Sequence, residues 1–363
     1  MNRVPLLDLA REHAAIAAEL RREWDAVLET MHLLGGAQLQ AFEREMAAYL
    51  GAEVVYGVAS GTDALLLGLE ALGIGRGDRV ALAANAFVAA LEALYHLGAT
   101  PVLVDCLPDS FAPDFAPVLD GVRAVIVVHL YGSVVALGAD LGQARDRGLL
   151  VVEDASHAHG AERGGRKAGT FGDAGCFSAG VVKNLAAYGD AGFVAAADRA
   201  VGERLRLLRV HGQERKNHHV LYGHNSRLDE LQAAVLRVKL RHLERRNERR
   251  RQIAAYYGER LGGLPLRLPA VAAGERPAFH QYVVRSERRG ELQAHLQQQG
   301  IETGIHYPVP LHRQPAWLRA YGEAPPLPHA EKLAREILSL PVFPELSDAE
   351  VERVAAAVRS FFC

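Results

Sequence analysis

The sequence predicts an α/β protein with a large doubly wound domain, built on a mostly parallel sheet, and a smaller C-terminal α+β domain. Short apolar runs alternate with helical segments from residue 54 to about residue 194, which is the pattern of a doubly wound sheet. A long helical segment and a break containing Gly and Pro then lead into a shorter region of mixed elements. We therefore expect a large domain over residues 1–245 and a small domain over residues 246–363.

Short apolar runs mark the predicted strands of the sheet. They are residues 54–59, 79–82, 101–104, 124–128 and 149–152. Runs that are apolar at successive positions are typical of parallel strands buried on both faces. Their carboxyl ends are expected to meet at one edge of the sheet, where open α/β sheets place their binding sites.

Three further elements are predicted after the sheet. Residues 228–255 form one long helix, because few Gly or Pro interrupt them and Leu231 and Val235 lie on one apolar side. The Arg-rich stretch 245–251 in this helix also contains Glu248, so we expect a solvated face rather than a surface that binds RNA. After a break at 261–265, residues 281–285 are predicted as a strand and residues 350–362 as a closing helix.

Composition excludes several classes of protein. The chain has 363 residues, 49% of them apolar, and a net charge of −2, so it can bury a large core and has no field that attracts nucleic acid or membranes. The three cysteines, Cys106, Cys176 and Cys363, show neither paired nor metal-ligand spacing, so we expect a reducing compartment and no metal site. No apolar run approaches the ~20 residues that span a bilayer. The start of the chain lacks a signal-peptide pattern, and we expect a cytoplasmic protein.

Lys183 is the first candidate for chemistry. It follows Val181 and Val182 and precedes the Gly-rich turn 188–192. Apolar neighbours desolvate an amine, which disfavours its charged form and leaves a neutral nitrogen that can attack an aldehyde. The alternative is an ordinary lysine at a strand end whose ammonium reaches solvent.

Asp154 is the second candidate, because it stands with Glu153 at the carboxyl end of the predicted strand 149–152. A carboxylate in that position can pair with a protonated pyridine nitrogen while a lysine binds an aldehyde, which is the arrangement that pyridoxal 5′-phosphate (PLP) requires. The alternative for Asp154 is a helix N-cap or a carboxylate that anchors a loop.

A phosphate site is predicted at residues 60–62, between strand 54–59 and an apolar helix. Backbone N–H groups at the start of that helix, with the hydroxyls of Ser60 and Thr62, can bind a dianionic phosphate. Ser-Gly-Thr before a helix is also a common capping arrangement. A lysine, a carboxylate and a phosphate site in one chain together favour a PLP enzyme over three unrelated structural explanations.

Segments along nearly the whole chain resemble the DegT/DnrJ/StrS family of fold-type I PLP enzymes. They are residues 4–9, 59–65, 98–102, 128–132, 153–155, 183–185, 223–234, 304–308 and 338–341. No single segment is decisive, but their order and spacing are specific. The family consists mostly of aminotransferases that act on nucleotide-linked keto-sugars, so the resemblance implies this fold, PLP as cofactor, an amino acid such as L-glutamate as donor and a keto-sugar as acceptor.

The resemblance assigns roles to individual residues. It implies that Lys183 binds the cofactor aldehyde and that Asp154 pairs with the pyridine nitrogen, in agreement with the chemistry of the residues. It implies that His157 contacts the ring or its 3-hydroxyl and that Phe87 stacks on the ring, although Phe87 is otherwise explained as core. The implied phosphate ligands are Gly61, Thr62, Ser178 and, from the neighbouring subunit, Asn225. This last role requires a homodimer with shared active sites.

One segment departs from the family pattern. Between Ser178 and Lys183 the family usually carries an aromatic residue, then His or Tyr, then Pro, whereas residues 179–182 are Ala-Gly-Val-Val. Ala179 in place of an aromatic is expected to leave space near Lys183, which leaves open a cyclitol or a sugar phosphate as the acceptor. Lys183 argues against the branch of the family that dehydrates sugars, because that branch has His at this position.

Two further points stay open in the sequence. A PLP-binding regulator without turnover is an alternative to the enzyme, but the chain has no added DNA-binding motif or basic patch. His306 and His312 flank Tyr307 in a segment that resembles the family's substrate-side loop, where they have either a substrate contact or a structural role. The segment 304–312 resembles members that aminate carbon 3 of the sugar.

Overall fold

The computed structural model describes residues 3–135 and 138–362. The strands are β1 (Val54–Val58), β2 (Arg79–Ala83), β3 (Thr100–Val104), β4 (Ala124–Val128), β5 (Leu150–Asp154), β6 (Glu162–Arg163), β7 (Arg166–Lys167), β8 (Ala174–Ser178), β9 (Gly192–Ala196), β10 (Gln213–Arg215), β11 (His218–His219), β12 (Glu275–Arg276), β13 (Tyr282–Arg285) and β14 (Ile337–Leu340). The helices are α1 (Leu9–Thr30), α2 (Ala37–Leu50), α3 (Gly61–Ala71), α4 (Val88–Leu97), α5 (Gly138–Asp146), α6 (Arg199–Leu208), α7 (Glu230–Leu261), α8 (Arg289–Gln298), α9 (Pro315–Tyr321), α10 (Pro328–Glu336) and α11 (Asp348–Phe362).

The central sheet has seven strands in the order β1-β9-β8-β5-β4-β2-β3. The pairs β2–β3, β2–β4, β4–β5 and β5–β8 are parallel, and β9 is antiparallel to both β8 and β1. The predicted mostly parallel sheet is therefore confirmed. The register pairs Asp154 with Val128 on one side and with Cys176 on the other, so the carboxyl ends of β4, β5 and β8 lie side by side.

Helices cover both faces of this sheet because successive strand residues point to opposite sides. Ile126 and Val152 pack in one core with α3 and α4, whereas their neighbours Val125 and Val151 pack in another core on the opposite face. Nearer β1, a third core joins α2 and α7 to β8 and β9 and includes Phe42 and Phe177. This double covering explains why the strands are continuous apolar runs in the sequence.

Helix α7 connects the sheet to the C-terminal elements. It ends at Leu261, six residues beyond the predicted end at residue 255, because Tyr257 and Leu261 are fully buried against β13, β14 and α11. Strands β13 and β14 form an antiparallel pair. The predicted division into residues 1–245 and 246–363 stays a prediction, and α7 runs unbroken through residue 245.

The Arg-rich part of α7 differs from the predicted solvated face. Arg246 forms ion pairs with Glu12 of α1 (3.1 Å) and with Glu345, and only 13% of its side chain is exposed. Arg250 is buried and donates to the carbonyl oxygens of Phe279 and Val342. These arginines therefore join α7 to the N-terminal helix and to the C-terminal elements. None of the described helices is long and apolar enough to cross a membrane.

Candidate active site

A cavity of about 320 Å³ opens at the carboxyl ends of β4, β5 and β8. It is lined by the predicted site residues Gly61, Thr62, Phe87, Asp154, His157, Ser178 and Lys183. Asn225 is exposed and does not line it. The fold therefore brings together the predicted site residues other than Asn225.

Lys183 ends the turn that follows β8. Its backbone N–H donates to the carbonyl of Gly180 (2.9 Å), and Asn184 and Leu185 after it are buried. Burial lowers the pKa of the Lys183 amine from 10.5 to about 8, although the nearby Asp154 carboxylate favours its charged form. A large share of the amine is therefore neutral and nucleophilic near pH 8.

Asp154 is the last residue of β5 and is 5% exposed. Its Oδ1 accepts the backbone N–H of Ser156 (3.1 Å), and no cationic side chain among the described residues forms an ion pair with it. A buried carboxylate is costly unless a positive group faces it. Asp154 is thus a suitable partner for a protonated pyridine nitrogen.

Glu153, the residue before Asp154, forms hydrogen bonds that hold the local structure. Its carboxylate accepts Nε2–H of His129 (2.7 Å) and the backbone N–H groups of Gly169 (2.7 Å) and Gly172 (2.6 Å). Nδ1 of His129 in turn accepts the N–H of Val135 (3.2 Å), which places the imidazole proton on Nε2. These bonds fix the end of β5 and therefore the position of Asp154.

His157 is neutral and has a defined tautomer. Burial, helped by the positive charge of Lys183, holds its pKa well below the usual value. Its Nδ1 accepts the backbone N–H of Tyr131 (3.3 Å), so the proton is on Nε2. His157 can therefore donate one hydrogen bond from Nε2, as a contact with the 3-oxygen of a PLP ring requires.

The segment between β1 and α3 leads into a helix N-terminus with the features of an anion site. Ser60 is the N-cap of α3, and its hydroxyl accepts the N–H of Asp63 (3.1 Å), so this hydroxyl caps the helix. Within the described part of the chain nothing accepts from the N–H groups of Gly61 and Thr62. Free N–H groups at a helix N-terminus bind phosphate. A Cβ at Gly61 would lie 2.3 Å from Cβ of Ser178, so the glycine permits the close approach of α3 to the end of β8.

The space expected at Ala179 is not part of the cavity. Ala179 is fully buried in the core that contains Phe177 and Leu185, and it does not line the cavity. Gly180, Val181 and Val182 line it instead, and the two valines are 43% and 49% exposed. The departure from the family pattern therefore gives the cavity mouth an apolar surface.

Aromatic side chains flank the cavity. Phe87 is 47% exposed, which rules out the core explanation, and its ring centroid lies 5.2 Å from that of Tyr307. The Tyr307 hydroxyl is 3.5 Å from Nε2 of His157. The sequence reasoning did not select Tyr307, and its place between His306 and Pro308 in the segment 304–308 was the only signal for it.

The two histidines near Tyr307 have different surroundings. Nδ1 of His306 is 2.8 Å from the Ser339 hydroxyl, and burial together with Lys183 lowers the His306 pKa to about 4. His312 is fully buried and bonded to Glu331 (2.9 Å). His312 therefore has a structural role, whereas the charge of Lys183 contributes to the lowered pKa of His306.

These features fit PLP. The cavity provides an amine with a lowered pKa and a neutral imidazole with one donor. It also provides a buried carboxylate without an ionic partner, and N–H groups at the start of a helix without an acceptor, as far as the described residues go. No group of His, Cys, Asp or Glu in the described ranges is placed to hold a metal ion.

Comparisons with known proteins agree with this fit. The model of the DegT/DnrJ/EryC1/StrS aminotransferase family matches residues 14–359. A relative from Streptomyces venezuelae, dTDP-3-amino-3,4,6-trideoxy-α-D-glucose transaminase, is 44% identical over 99% of this chain and 96% of its own length. UDP-N-acetyl-3-dehydro-α-D-glucosamine 3-aminotransferase from Acidithiobacillus ferrooxidans is 40% identical over 98% of this chain and 97% of its own length. The crystal structure of S. venezuelae DesV is 44% identical, covers 99% of each chain and gives a TM-score of 0.96.

Proposed function

Because this chain belongs to the DegT/DnrJ/EryC1/StrS family of PLP-dependent aminotransferases, we propose that it transfers an amino group from an amino acid, L-glutamate foremost, to the C-3 ketone of a nucleotide-linked sugar. The observation that carries this proposal is the cavity that joins Lys183, Asp154 and His157 to the free N–H groups at the start of α3.

The reaction assigns a separate task to each residue. When bound, PLP would supply the electron sink that allows the amino acid donor to lose its α-proton. Neutral Nζ of Lys183 accepts that proton and later returns it, as a general base and then an acid. The carboxylate of Asp154 would keep the pyridine nitrogen protonated, and Nε2–H of His157 would be the donor to the ring oxygen. Gly61, Thr62 and Ser178 would bind the phosphate.

Carbon 3 is proposed as the aminated position because two relatives agree on it. The Streptomyces and Acidithiobacillus relatives are named for a 3-amino or 3-dehydro sugar, yet one name carries dTDP and the other UDP. The position of the ketone is therefore the shared feature, and the nucleotide is the variable one. The exposed surface of Val181 and Val182 favours an acceptor that presents an apolar face, such as a deoxygenated sugar carbon.

We propose a homodimer with shared active sites. Several large apolar side chains are exposed near the cavity mouth or on the loop before Asn225: Phe87, Val181, Val182, Val220 and Tyr222. A second copy of the chain that covers these residues would place Asn225 at the phosphate of the opposite cavity. In its own chain Asn225 precedes Ser226, whose hydroxyl donates to Oδ2 of Asp63 (2.6 Å), so the loop is anchored beside α3.

The two half-reactions can be tested separately. Incubation of the holoenzyme with L-glutamate should replace the absorbance of the aldehyde form by that of the amine form, with release of 2-oxoglutarate. The amine form should then react with a 3-keto sugar nucleotide in a panel of keto-sugars, keto-cyclitols and keto-sugar phosphates. Exclusive reaction with a cyclitol or a sugar phosphate would overturn the acceptor assignment. Failure of every amino acid donor in the first step would favour a regulator without turnover.

A further inference from the structure

A buried polar network lies behind Lys183 and His157. It consists of Asn184, Asn247 and His280, which are 5%, 0% and 9% exposed, and none of the three lines the cavity. Asn184 follows Lys183 in the chain, Asn247 belongs to α7, and His280 lies just before β13. The network therefore connects the lysine turn with two distant segments.

The hydrogen bonds of this network fix which ring nitrogen of His280 carries the proton. Nδ2 of Asn184 donates to Oδ1 of Asn247 (3.0 Å) and to the carbonyl of Ala278 (2.9 Å), while Nδ2 of Asn247 donates to the carbonyl of His159 (2.7 Å). Both N–H donors of Asn184 are thus used, and its Oδ1 can only accept. Nδ1 of His280 lies 3.1 Å from this oxygen and must carry the proton.

The ring of His280 packs directly on the ring of His157. Their centroids are 4.4 Å apart with an interplanar angle of 40°. Burial and positively charged neighbours hold both pKa values well below the usual range, so two neutral rings are in contact. Apart from this ring contact, the described part of the chain offers His157 only two long contacts, Nδ1 with the N–H of Tyr131 (3.3 Å) and Nε2 with the hydroxyl of Tyr307 (3.5 Å). Contacts of these lengths are weak, so the packing of His280 contributes to the orientation of the ring.

The backbone around His280 reinforces the same contact. The N–H of Ala278 donates to the carbonyl of Gly132 (2.8 Å), and the N–H of Gln281 donates to the carbonyl of Tyr131 (3.2 Å). A Cβ at Gly132 would lie 2.8 Å from the nitrogen of His280. The loop that donates to His157 is therefore held against the segment that carries His280.

We propose that His280 is a positioning residue of the active site. Its Nδ1–H, fixed by Asn184, and its ring face hold His157 in its observed orientation, from which Nε2–H would be the donor to the ring oxygen of the cofactor. The bond to Asn184 connects this orientation to the backbone beside Lys183. The proposal rests on the proposed role of His157. His280 itself touches neither substrate nor cofactor.

Two substitutions each remove one of the two contacts of the His280 side chain, the bond to Asn184 or the ring contact with His157. His280→Phe keeps a ring against His157 but removes the donor to Asn184. His280→Asn keeps a donor near the Nδ1 position but removes the ring. In the proposed arrangement both substitutions release His157, because the ring contact and the bond to Asn184 act together.

The test is a pH titration of the absorbance of PLP bound to the holoenzyme, which reports the electronic state of the cofactor and does not depend on turnover. His157→Phe should shift the midpoint by about one pH unit, since a hydrogen bond to a charged group changes a pKa by roughly that amount. His280→Phe and His280→Asn should shift it in the same direction by more than half as much. The double variant His157→Phe/His280→Phe should show no further shift, because His280 acts through His157.

A buried histidine elsewhere provides the control. His312→Phe also removes a fully buried, hydrogen-bonded imidazole, and it should lower the melting temperature without moving the titration midpoint. The proposal is wrong if the His280 variants titrate like the wild type, or if the shift caused by His280→Phe persists in the His157→Phe background. If His280→Phe does not fold, His280→Asn alone decides between these outcomes. A failure of the half-reactions with all acceptors would leave this titration unaffected, so it tests a separate point.

Discussion

Asp154 and Lys183 line the same cavity, and Asp154 favours the charged form of the lysine. Burial lowers the pKa of the Lys183 amine to about 8, while Asp154 acts in the opposite direction. Asp154 has no ionic partner among the described residues, so its charge is available to a cationic ring nitrogen. The same two side chains thus provide a neutral nucleophile and an anion within one small volume.

The lowered pKa predicts how fast the apoenzyme binds PLP covalently. Only the neutral amine attacks the aldehyde, so the rate should rise about tenfold per pH unit below pH 8 and level off above it. Stopped-flow absorbance between pH 6.5 and 9.5 measures this profile. Lys167→Arg serves as the control, because Lys167 is 3.4 Å from Glu162 and 3.3 Å from Glu244. A midpoint near 10, or a borohydride-reduced adduct on another lysine, would contradict the assignment.

Asp154→Asn should affect both the amine of Lys183 and the ring nitrogen of PLP. Loss of the carboxylate removes the interaction that favours charged Lys183, so the midpoint of PLP capture should move below pH 8. The ring nitrogen loses its anionic partner, and the glutamate half-reaction should slow at least about a hundredfold. Single-turnover absorbance measures the rate, and the melting temperature monitors the fold. A near wild-type half-reaction would show that Asp154 is structural.

Gly61→Ala tests the phosphate site. The new Cβ would lie 2.3 Å from Cβ of Ser178, so either α3 or β8 must shift. We expect a loss of about 1–3 kcal/mol of stability, typical of overpacking, and at least tenfold weaker binding of PLP. Gly75→Ala is the matched control, because its Cβ would meet no atom within 4 Å. Fluorescence titration gives the PLP affinity, and equal affinities for the two variants would speak against the proposed phosphate site.

At the level of helices, α1 is held on α7 by buried ions. Lys239 of α7 is 2% exposed and lies 3.0 Å from Glu12 of α1, and Arg246 approaches the other oxygen of Glu12 (3.1 Å). Burial lowers the pKa of Lys239, which the Glu12 carboxylate partly offsets. Glu12 thus contacts two cations, one through each oxygen, and Arg246 has Glu345 as a second anionic partner, so Arg246 has a structural role in α7.

Glu12→Gln should therefore be strongly destabilising. It leaves the buried ammonium of Lys239 without a counter-ion, and removal of one partner of a buried pair typically costs about 3–5 kcal/mol. Arg241→Gln breaks an exposed pair on the same two helices, Arg241 with Glu23 (3.0 Å), and should cost less than about 1 kcal/mol. Urea denaturation followed by circular dichroism measures both variants. Similar losses of stability in the two variants would mean that the buried ion pair stabilises the protein no more than the exposed pair does.

Some helices and strands could be predicted from the sequence better than others, and the reasons are physical. The strands of the central sheet were predicted because helices bury both of their faces, which leaves continuous apolar runs. The end of α7 was missed because its last turns are buried only by tertiary contact with β13, β14 and α11. Pairs such as β6–β7 and β10–β11 are too short to produce a periodic pattern.

The active site shows the same limit at the level of side chains. Lys183, Asp154 and the start of α3 could be selected because each carries a chemical signal next to a predicted strand end or helix start. Tyr307 and His280 lie in the C-terminal third of the chain and reach the site only through the fold. The sequence predicted space near Lys183 at Ala179, but the side chain of Ala179 points into the core. The following three residues line the cavity instead.

For the whole molecule, a test of the proposed shared site follows from the position of Asn225. This residue is exposed, does not line the cavity of its own chain, and follows a loop with the fully exposed Tyr222. Lys183→Ala removes the nucleophile, and Asn225→Asp adds a negative charge that should repel the phosphate. In a symmetric dimer with intersubunit sites, each variant alone carries one lesion in every site and should be inactive.

Mixing the two inactive variants should restore activity. In a heterodimer one site collects both lesions and the other collects none, so each heterodimer should recover at most about half of the wild-type activity. Differently tagged chains, tandem purification and glutamate turnover measure this recovery, and native mass spectrometry confirms subunit exchange. The matched control mixes Lys183→Ala with Asp154→Asn, two lesions in one chain's share of the site, and should recover nothing because each site keeps one of them. If subunit exchange is complete and the mixture of Lys183→Ala with Asn225→Asp also stays inactive, Asn225 serves the cavity of its own chain. The proposal of a shared site is then wrong.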